Sequence, residues 1–148
     1  MAAPSLRDKA LALLARREHS RAELRRKLGT DENRDELDAV LDDLIARGWQ
    51  SDLRFATAYI SAYAQRFGRY RLEAELRERG VADADISLAF ESQDDDTGTE
   101  LERAREVWQK KFSAPATDAA ERAKQARFLQ SRGFAYDIIR KVLGGLDD

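Results

Sequence analysis

Leu44-Ile45-Ala46-Arg47-Gly48-Trp49, Leu76-Arg77-Glu78-Arg79-Gly80-Val81 and Leu129-Gln130-Ser131-Arg132-Gly133-Phe134 share one pattern. In each, a leucine stands four residues before a glycine, and Arg-Gly is followed by a hydrophobic residue. That is the pattern of a helix closed by a left-handed glycine, with the next side chain folding back towards the leucine. Three such stops in one polar chain predict an all-α protein built by repetition. Tandem helical modules more often present a surface than enclose a reaction.

Working outward from the stops, the apolar spacing predicts nine helices. Leu6, Ala10, Leu13 and Leu14 give a first, over Ser5 to Arg17. Ser20 and Glu23 form a capping box that opens a second, Arg21 to Leu28. Leu37, Val40, Leu41, Leu44 and Ile45 mark a third, and Ser51 caps a fourth with an apolar stripe of Phe55, Ala58, Tyr59, Ala62 and Tyr63. Arg69 to Arg79 is a fifth, and Asp83 is expected to cap a short sixth holding Ile86, Leu88, Ala89 and Phe90. The polar stretch Ser92 to Thr99 is expected to be a flexible linker. Leu101, Ala104, Val107, Trp108 and Phe112 mark a seventh helix, Thr117 or Asp118 starts an eighth, and Phe134, Ile138, Ile139 and Val142 belong to a ninth.

Ala22-Glu23-Leu24-Arg25 recurs as Ala74-Glu75-Leu76-Arg77, 52 residues on. A three-helix unit of about 50 residues follows, within the period range of helical arrays. The expected architecture is an elongated array of three tandem three-helix repeats: residues 1–48, 49–93, and 94–148 with the acidic linker at the front of the third.

Charge is sorted along the chain. The net charge is −2, but Met1 to Thr30 has eight basic residues against three acidic, and Asp31 to Leu53 two against eight. Arg54 to Gly80 has six against three, Val81 to Glu102 none against eight, and Arg103 to Asp148 ten against six. Local basic stripes therefore remain available to nucleic acid. With no cysteine there are no disulfides or thiolate metal sites, which fits a cytoplasmic location. No run is long and apolar enough to cross a membrane, and none is expected to meet one.

Few residues offer chemistry. His19 is the only histidine and is expected at the surface, with no second histidine to share a metal. Asp94-Asp95-Asp96-Thr97-Gly98 has the glycine one residue early for a calcium loop. No nucleophile–base pair or phosphate loop stands out, so neither an enzyme nor a cofactor is expected. Trp49 and Trp108 are read as packing residues.

Three basic groups are the candidate partner- and DNA-binding residues. The first is Arg16, Arg17, Arg21, Arg25, Arg26 and Lys27, suited to phosphate or an acidic groove; a solvated face with ion pairs such as Glu23 with Lys27 would read the same way. The second is Arg66, Arg69 and Arg71 around Phe67 and Tyr70, aromatics that can stack on bases or pack into a core. The third is Lys110, Lys111, Arg122, Lys124 and Arg127. If the modules stack along an arc, all three would line one concave face.

Leu13-Leu14-Ala15-Arg16-Arg17-Glu18-His19-Ser20-Arg21-Ala22-Glu23-Leu24-Arg25-Arg26-Lys27-Leu28 resembles the opening motif of the RecX family, bacterial regulators of the RecA recombinase. Gly48-Trp49-Gln50-Ser51-Asp52-Leu53-Arg54-Phe55-Ala56 resembles its second motif. Phe128-Leu129-Gln130-Ser131-Arg132-Gly133-Phe134-Ala135-Tyr136-Asp137-Ile138-Ile139 resembles its C-terminal one. The acidic tract Asp94-Asp95-Asp96 matches nothing in the family pattern. The resemblance implies binding in the groove of the RecA–DNA filament and inhibition of ATP hydrolysis, strand exchange and coprotease function. The expected partners are that filament and, weakly and without sequence preference, single- or double-stranded DNA, met by a monomer. A free-standing DNA-binding protein is the alternative, and a repeat adaptor for another protein a third.

Overall fold

The computed structural model describes residues 3–97 and 99–144, and among them nine helices and no strand. They are α1 (Leu6–Arg16), α2 (Arg21–Leu28), α3 (Arg34–Ala46), α4 (Asp52–Tyr63), α5 (Arg69–Glu78), α6 (Asp83–Thr97), α7 (Glu100–Lys111), α8 (Ala119–Ser131) and α9 (Tyr136–Leu143). Two compact units form, Met1–Ala58 with Leu76–Ala89, and Tyr59–Glu75 with Phe90–Asp148.

The three glycine stops close alike. The glycine N–H donates to the carbonyl three residues back, and the following hydrophobic residue's N–H reaches the carbonyl of the leucine: Trp49 to Leu44 at 2.9 Å, Val81 to Leu76 at 3.1 Å, Phe134 to Leu129 at 3.3 Å. All three leucines are fully buried. Gly48, Gly80 and Gly133 have φ of 74°, 86° and 94°.

In the first unit Leu24, Leu37 and Leu41 form a core flanked by Leu6, Leu13, Leu14 and Leu28. The Ser20–Glu23 capping box is present as expected. Its hydroxyl also donates to the Arg79 carbonyl at 2.7 Å, so the first turn of α2 sits on the stop of α5. There the Ala22 methyl lies where a Cβ on Gly80 would go. In the second unit Ala104, Val107, Leu129, Phe134 and Ile139 form the core, with Trp108, Ala126, Phe128, Ile138, Val142 and Leu143 packed on it. The joint recurs here. Gly68 N–H donates to the Arg132 carbonyl at 2.7 Å and Tyr70 N–H to the Gly133 carbonyl at 3.1 Å, so the first turn of α5 sits on the stop of α8.

Several expectations shift. The buried residues of α4 are Phe55, Ala56 and Ile60, with Ala64 just beyond its end, while Ala58 and Ala62 are exposed. Small alanines suit either side, and Ile60 sets the buried direction. Asp83 is the first residue of α6 rather than its cap, and its carboxylate accepts from Arg77 Nε at 2.8 Å. Leu88 is exposed. The stretch expected as a linker is helical as far as Thr97, because α6 runs on past Phe90 through buried Gln93, whose side-chain carbonyl accepts from Ser61. Thr99 caps α7; Gly98 and the side chains of the acidic tract, with the calcium-loop comparison, lie outside the described residues.

Candidate partner and nucleic-acid interface

Most of the first basic group is tied down. Arg17 pairs with Glu23 at 3.2 Å. Arg21 bonds Asp42 and lies 3.6 Å from Asp38, which also meets Arg25 at 3.3 Å, so the acids of α3 face the arginines of α2. Arg26 donates to the Glu78 carbonyl at 2.8 Å. Arg16 has no ion pair among the described residues and shares a small pocket with Leu13, Arg17, His19 and Lys27.

His19 corrects the sequence reading: it is buried. Its Nδ1 lies 3.0 Å from the Arg17 carbonyl, which can only accept, so Nδ1 carries the proton and bare Nε2 accepts from Lys27 Nζ at 3.1 Å. Burial holds His19 below the ordinary imidazole value. The Arg17 and Lys27 charges act the same way against the raising effects of its backbone bond and Glu23. Glu23 is pushed up by burial, yet its bonds to Arg17 and the Ser20 N–H leave it below the usual carboxylate range.

Of the second and third groups, Arg66, Arg71 and Lys111 come together in the second unit. Phe67 is half-buried and ringed by cations: the Arg71, Arg66 and Arg132 guanidiniums lie 3.9, 5.7 and 5.7 Å from its centroid. Arg132 also covers Phe128 at 5.1 Å, and Lys111 lies 5.7 Å from that same ring. Ring contacts continue from Tyr59 through Tyr63 to Phe67, and from Phe128 through Phe112 to Trp108. An aromatic ladder from α4 and from α7 and α8 therefore carries guanidinium and ammonium groups, each contact stabilising by about 0.5–1 kcal/mol at an exposed site.

Arg71 is shared with Glu75 at 3.2 Å. Arg69 bonds Glu73 at 2.6 Å and lies over Phe90 at 4.5 Å, away from this ladder. Among the described residues Arg66, Lys110, Lys111, Lys124, Arg127 and Arg132 have no acidic partner, and Arg122 donates to the Leu143 carbonyl. Phe67 packs under the arginines rather than offering a free face, whereas Tyr70 is 65 % exposed.

Two contributors escape the sequence reading. Arg132 reads there only as part of a stop. Tyr136 is 73 % exposed, with the Arg140 guanidinium 5.2 Å from its ring. With Tyr70, Arg127, Gln130 and Ile139 it lines a cleft of about 610 Å³. A signal is present: Tyr136 lies off the Ile138–Ile139–Val142 stripe, with an arginine one turn on. Trp49, expected to pack, is 46 % exposed between Arg7 and Arg47, at 5.5 and 5.4 Å. No group of metal-ligating side chains occurs among the described residues, and no helix is long and apolar enough to cross a membrane.

The fold and its basic surfaces define a class: an all-α protein of tandem three-helix domains. Family models described as the first, second and third three-helix domains of RecX match residues 7–44, 51–89 and 99–143. The chain belongs to the RecX family, a family of regulatory proteins. It is 49 % identical over 146 residues to the Regulatory protein RecX of Chromobacterium violaceum, spanning 97 % of this chain and 93 % of that one. It is 46 % identical to that of Leptothrix cholodnii, over 94 % of this chain and 87 % of that one. A crystal structure of RecX from Lactobacillus salivarius superposes with a TM-score of 0.78 over 96 % of this chain and 94 % of that one, at 22 % identity, a likeness of fold.

Proposed function

We propose that this chain is a cytoplasmic, monomeric negative regulator of a RecA-type recombinase that lies in the groove of the recombinase–DNA filament. In this reading it inhibits ATP hydrolysis, strand exchange and coprotease function. The observation that carries it is the cation-bearing aromatic ladder of Phe67 and Phe128 with Arg66, Arg71, Lys111 and Arg132. Guanidinium groups braced on rings keep their donors fixed for phosphate oxygens and lose little freedom on binding. Within the first basic group Arg17, Arg21 and Arg25 are paired with Glu23, Asp42 and Asp38, so this surface, suited to protein, mixes paired charges with the cations of Arg16, Arg26 and Lys27, unpaired with any acid among the described residues. The reading thus assigns DNA to the second unit's ladder and recombinase to the first unit. The division into modules at 1–48, 49–93 and 94–148 belongs to the same proposal, each module adding a small contact that tethering multiplies. Bridging neighbouring recombinase subunits would oppose the movements of their ATP cycle.

The test is recombinase ATP hydrolysis on single-stranded DNA, titrated with this protein beside a naked-DNA binding control. Inhibition at substoichiometric protein, at concentrations that barely bind naked DNA, supports the filament reading. Strong DNA binding without inhibition replaces it with a free-standing DNA-binding protein, and neither effect leaves an adaptor.

A further inference from the structure

The three stops share one closure but not one fate. Those at Gly80 and Gly133 each seat the first turn of another helix. A Cβ on Gly80 would lie 2.4 Å from the Ala22 methyl, and one on Gly133 the same distance from Arg71 Cβ. The carbonyls there are used: Arg79 accepts from the Ser20 hydroxyl, and Arg132 and Gly133 accept from Gly68 and Tyr70 N–H groups. The hydrophobic residue after each is sealed in, Val81 at 4 % exposure and Phe134 at 2 %.

At Gly48 every counterpart is vacant. Among the described residues nothing approaches its Cβ position within 4 Å. No backbone donor among the described residues reaches the Arg47 or Gly48 carbonyl. Trp49 stays nearly half exposed, with two guanidiniums within 5.5 Å of its ring centroid. Arg7 and Arg47 share a single acid, Asp43, which leaves the rim cationic. Asp43 is accordingly held below the usual carboxylate range by its bonds to Arg7 and Arg47.

The occupied joints show what such a stop takes. A helix start brings free N–H groups or a capping hydroxyl to the carbonyls, and its positive end faces the negative end of the helix that has stopped. The Gly80 seat is filled by Ala22, the second residue of its helix, with acidic Glu23 third, whereas the Gly133 seat is filled by Arg71, the third residue of its helix, so what the two joints share is the helix start itself.

We propose that the Gly48 stop is a docking seat for the first turn of a recombinase helix, one that brings free N–H groups or a hydroxyl cap to the Arg47 and Gly48 carbonyls and an acidic residue to the Arg7–Arg47 rim. Trp49 closes over that turn as Val81 and Phe134 close over their own. The proposal rests on the filament reading above, and it names the surface by which the first unit would grip protein.

The experiment uses the full-length chain with p-benzoylphenylalanine at position 49, photolysed on recombinase filaments, beside Trp49→Ala and Gly48→Asn in the ATP hydrolysis assay. Asparagine tolerates the left-handed conformation, so Gly48→Asn keeps the fold while filling the seat. The expected result is crosslinks confined to the first turn of a recombinase helix, with about tenfold weaker inhibition by both variants and melting temperatures near wild type. Unchanged inhibition, or crosslinks to DNA, to a second copy of this chain or elsewhere on the recombinase, overturns the docking seat while wild-type inhibition keeps the filament reading. If the wild-type chain neither inhibits nor binds the filament, the filament reading falls and takes this occupant with it.

Discussion

Replacing Gly133 and Gly48 by alanine separates the two jobs of a helix stop. Both have positive φ, so alanine at either incurs the left-handed penalty of about 1 kcal/mol. At Gly48 that is the whole cost, because among the described residues nothing lies within 4 Å of the new methyl. At Gly133 the methyl would lie 2.4 Å from Arg71 Cβ and 2.7 Å from Arg71 N, so the first turn of α5 must move. Relieving such overlap costs about 1–3 kcal/mol. The shift also weakens the Gly68–Arg132 and Tyr70–Gly133 bonds, each contributing about 1 kcal/mol. Gly133→Ala should therefore cost about 3–4 kcal/mol against about 1 for Gly48→Ala. At this chain length 1 kcal/mol moves Tm by about 4 °C, which predicts drops of more than about 10 °C and about 4 °C respectively. Thermal melts followed by far-UV circular dichroism measure both. Asparagine sharpens the comparison, since it relieves the φ penalty but not the collision: Gly48→Asn should be near neutral and Gly133→Asn still costly. Equal Tm losses for Gly133→Ala and Gly48→Ala would refute the seated turn.

The buried, neutral His19 makes stability depend on pH. Its folded value is lowered, so the stabilisation is complete above the ordinary imidazole range and is lost as pH falls below it. Melts between about pH 7.5 and 5.5 should show wild type losing Tm and His19→Gln losing less; parallel curves would contradict the assignment. Changing Arg66, Lys111 and Arg132 together to Ala should weaken filament binding and flatten its salt dependence, by about one unit of slope for each phosphate no longer touched. An unaltered slope in a salt titration removes DNA from the ladder. Arg21→Ala with Arg25→Ala breaks part-exposed ion pairs with Asp38 and Asp42 and leaves the buried Asp38 Oδ1 without its cations, so Tm should fall by a few degrees while inhibition weakens. Full inhibition by that double variant would take the two arginines out of the interface.

What is legible in the sequence is what one turn of chain decides. The Schellman-type closures and the Ser20–Glu23 box depend on residues within about five positions of each other, and they are found as read. The buried side of α4 is not legible, because Ala58 and Ala62 fit a core or a surface equally and only the neighbours decide. The burial of His19 escapes for a related reason. A polar ring is buried when distant groups satisfy it, and Lys27, eight residues away, supplies the bond to Nε2.

The candidate interface divides along the same line. Basic residues are visible in any sequence, but whether an arginine is committed to an acid or left on a ring is settled by contacts across the fold. Arg21 and Arg25 look the stronger pair in the sequence and are answered by α3, whereas Arg132, which reads as punctuation, joins Phe67 to Phe128. The stops meet the same limit. One local code writes the same closure three times, and local chemistry cannot tell a seat that is filled from one that is open. Only the folded chain shows Ala22 on Gly80, Arg71 on Gly133 and, among the described residues, nothing on Gly48. The occupied ends at Gly80 and Gly133 give the shape that the proposed seat at Gly48 would offer to a helix of another protein.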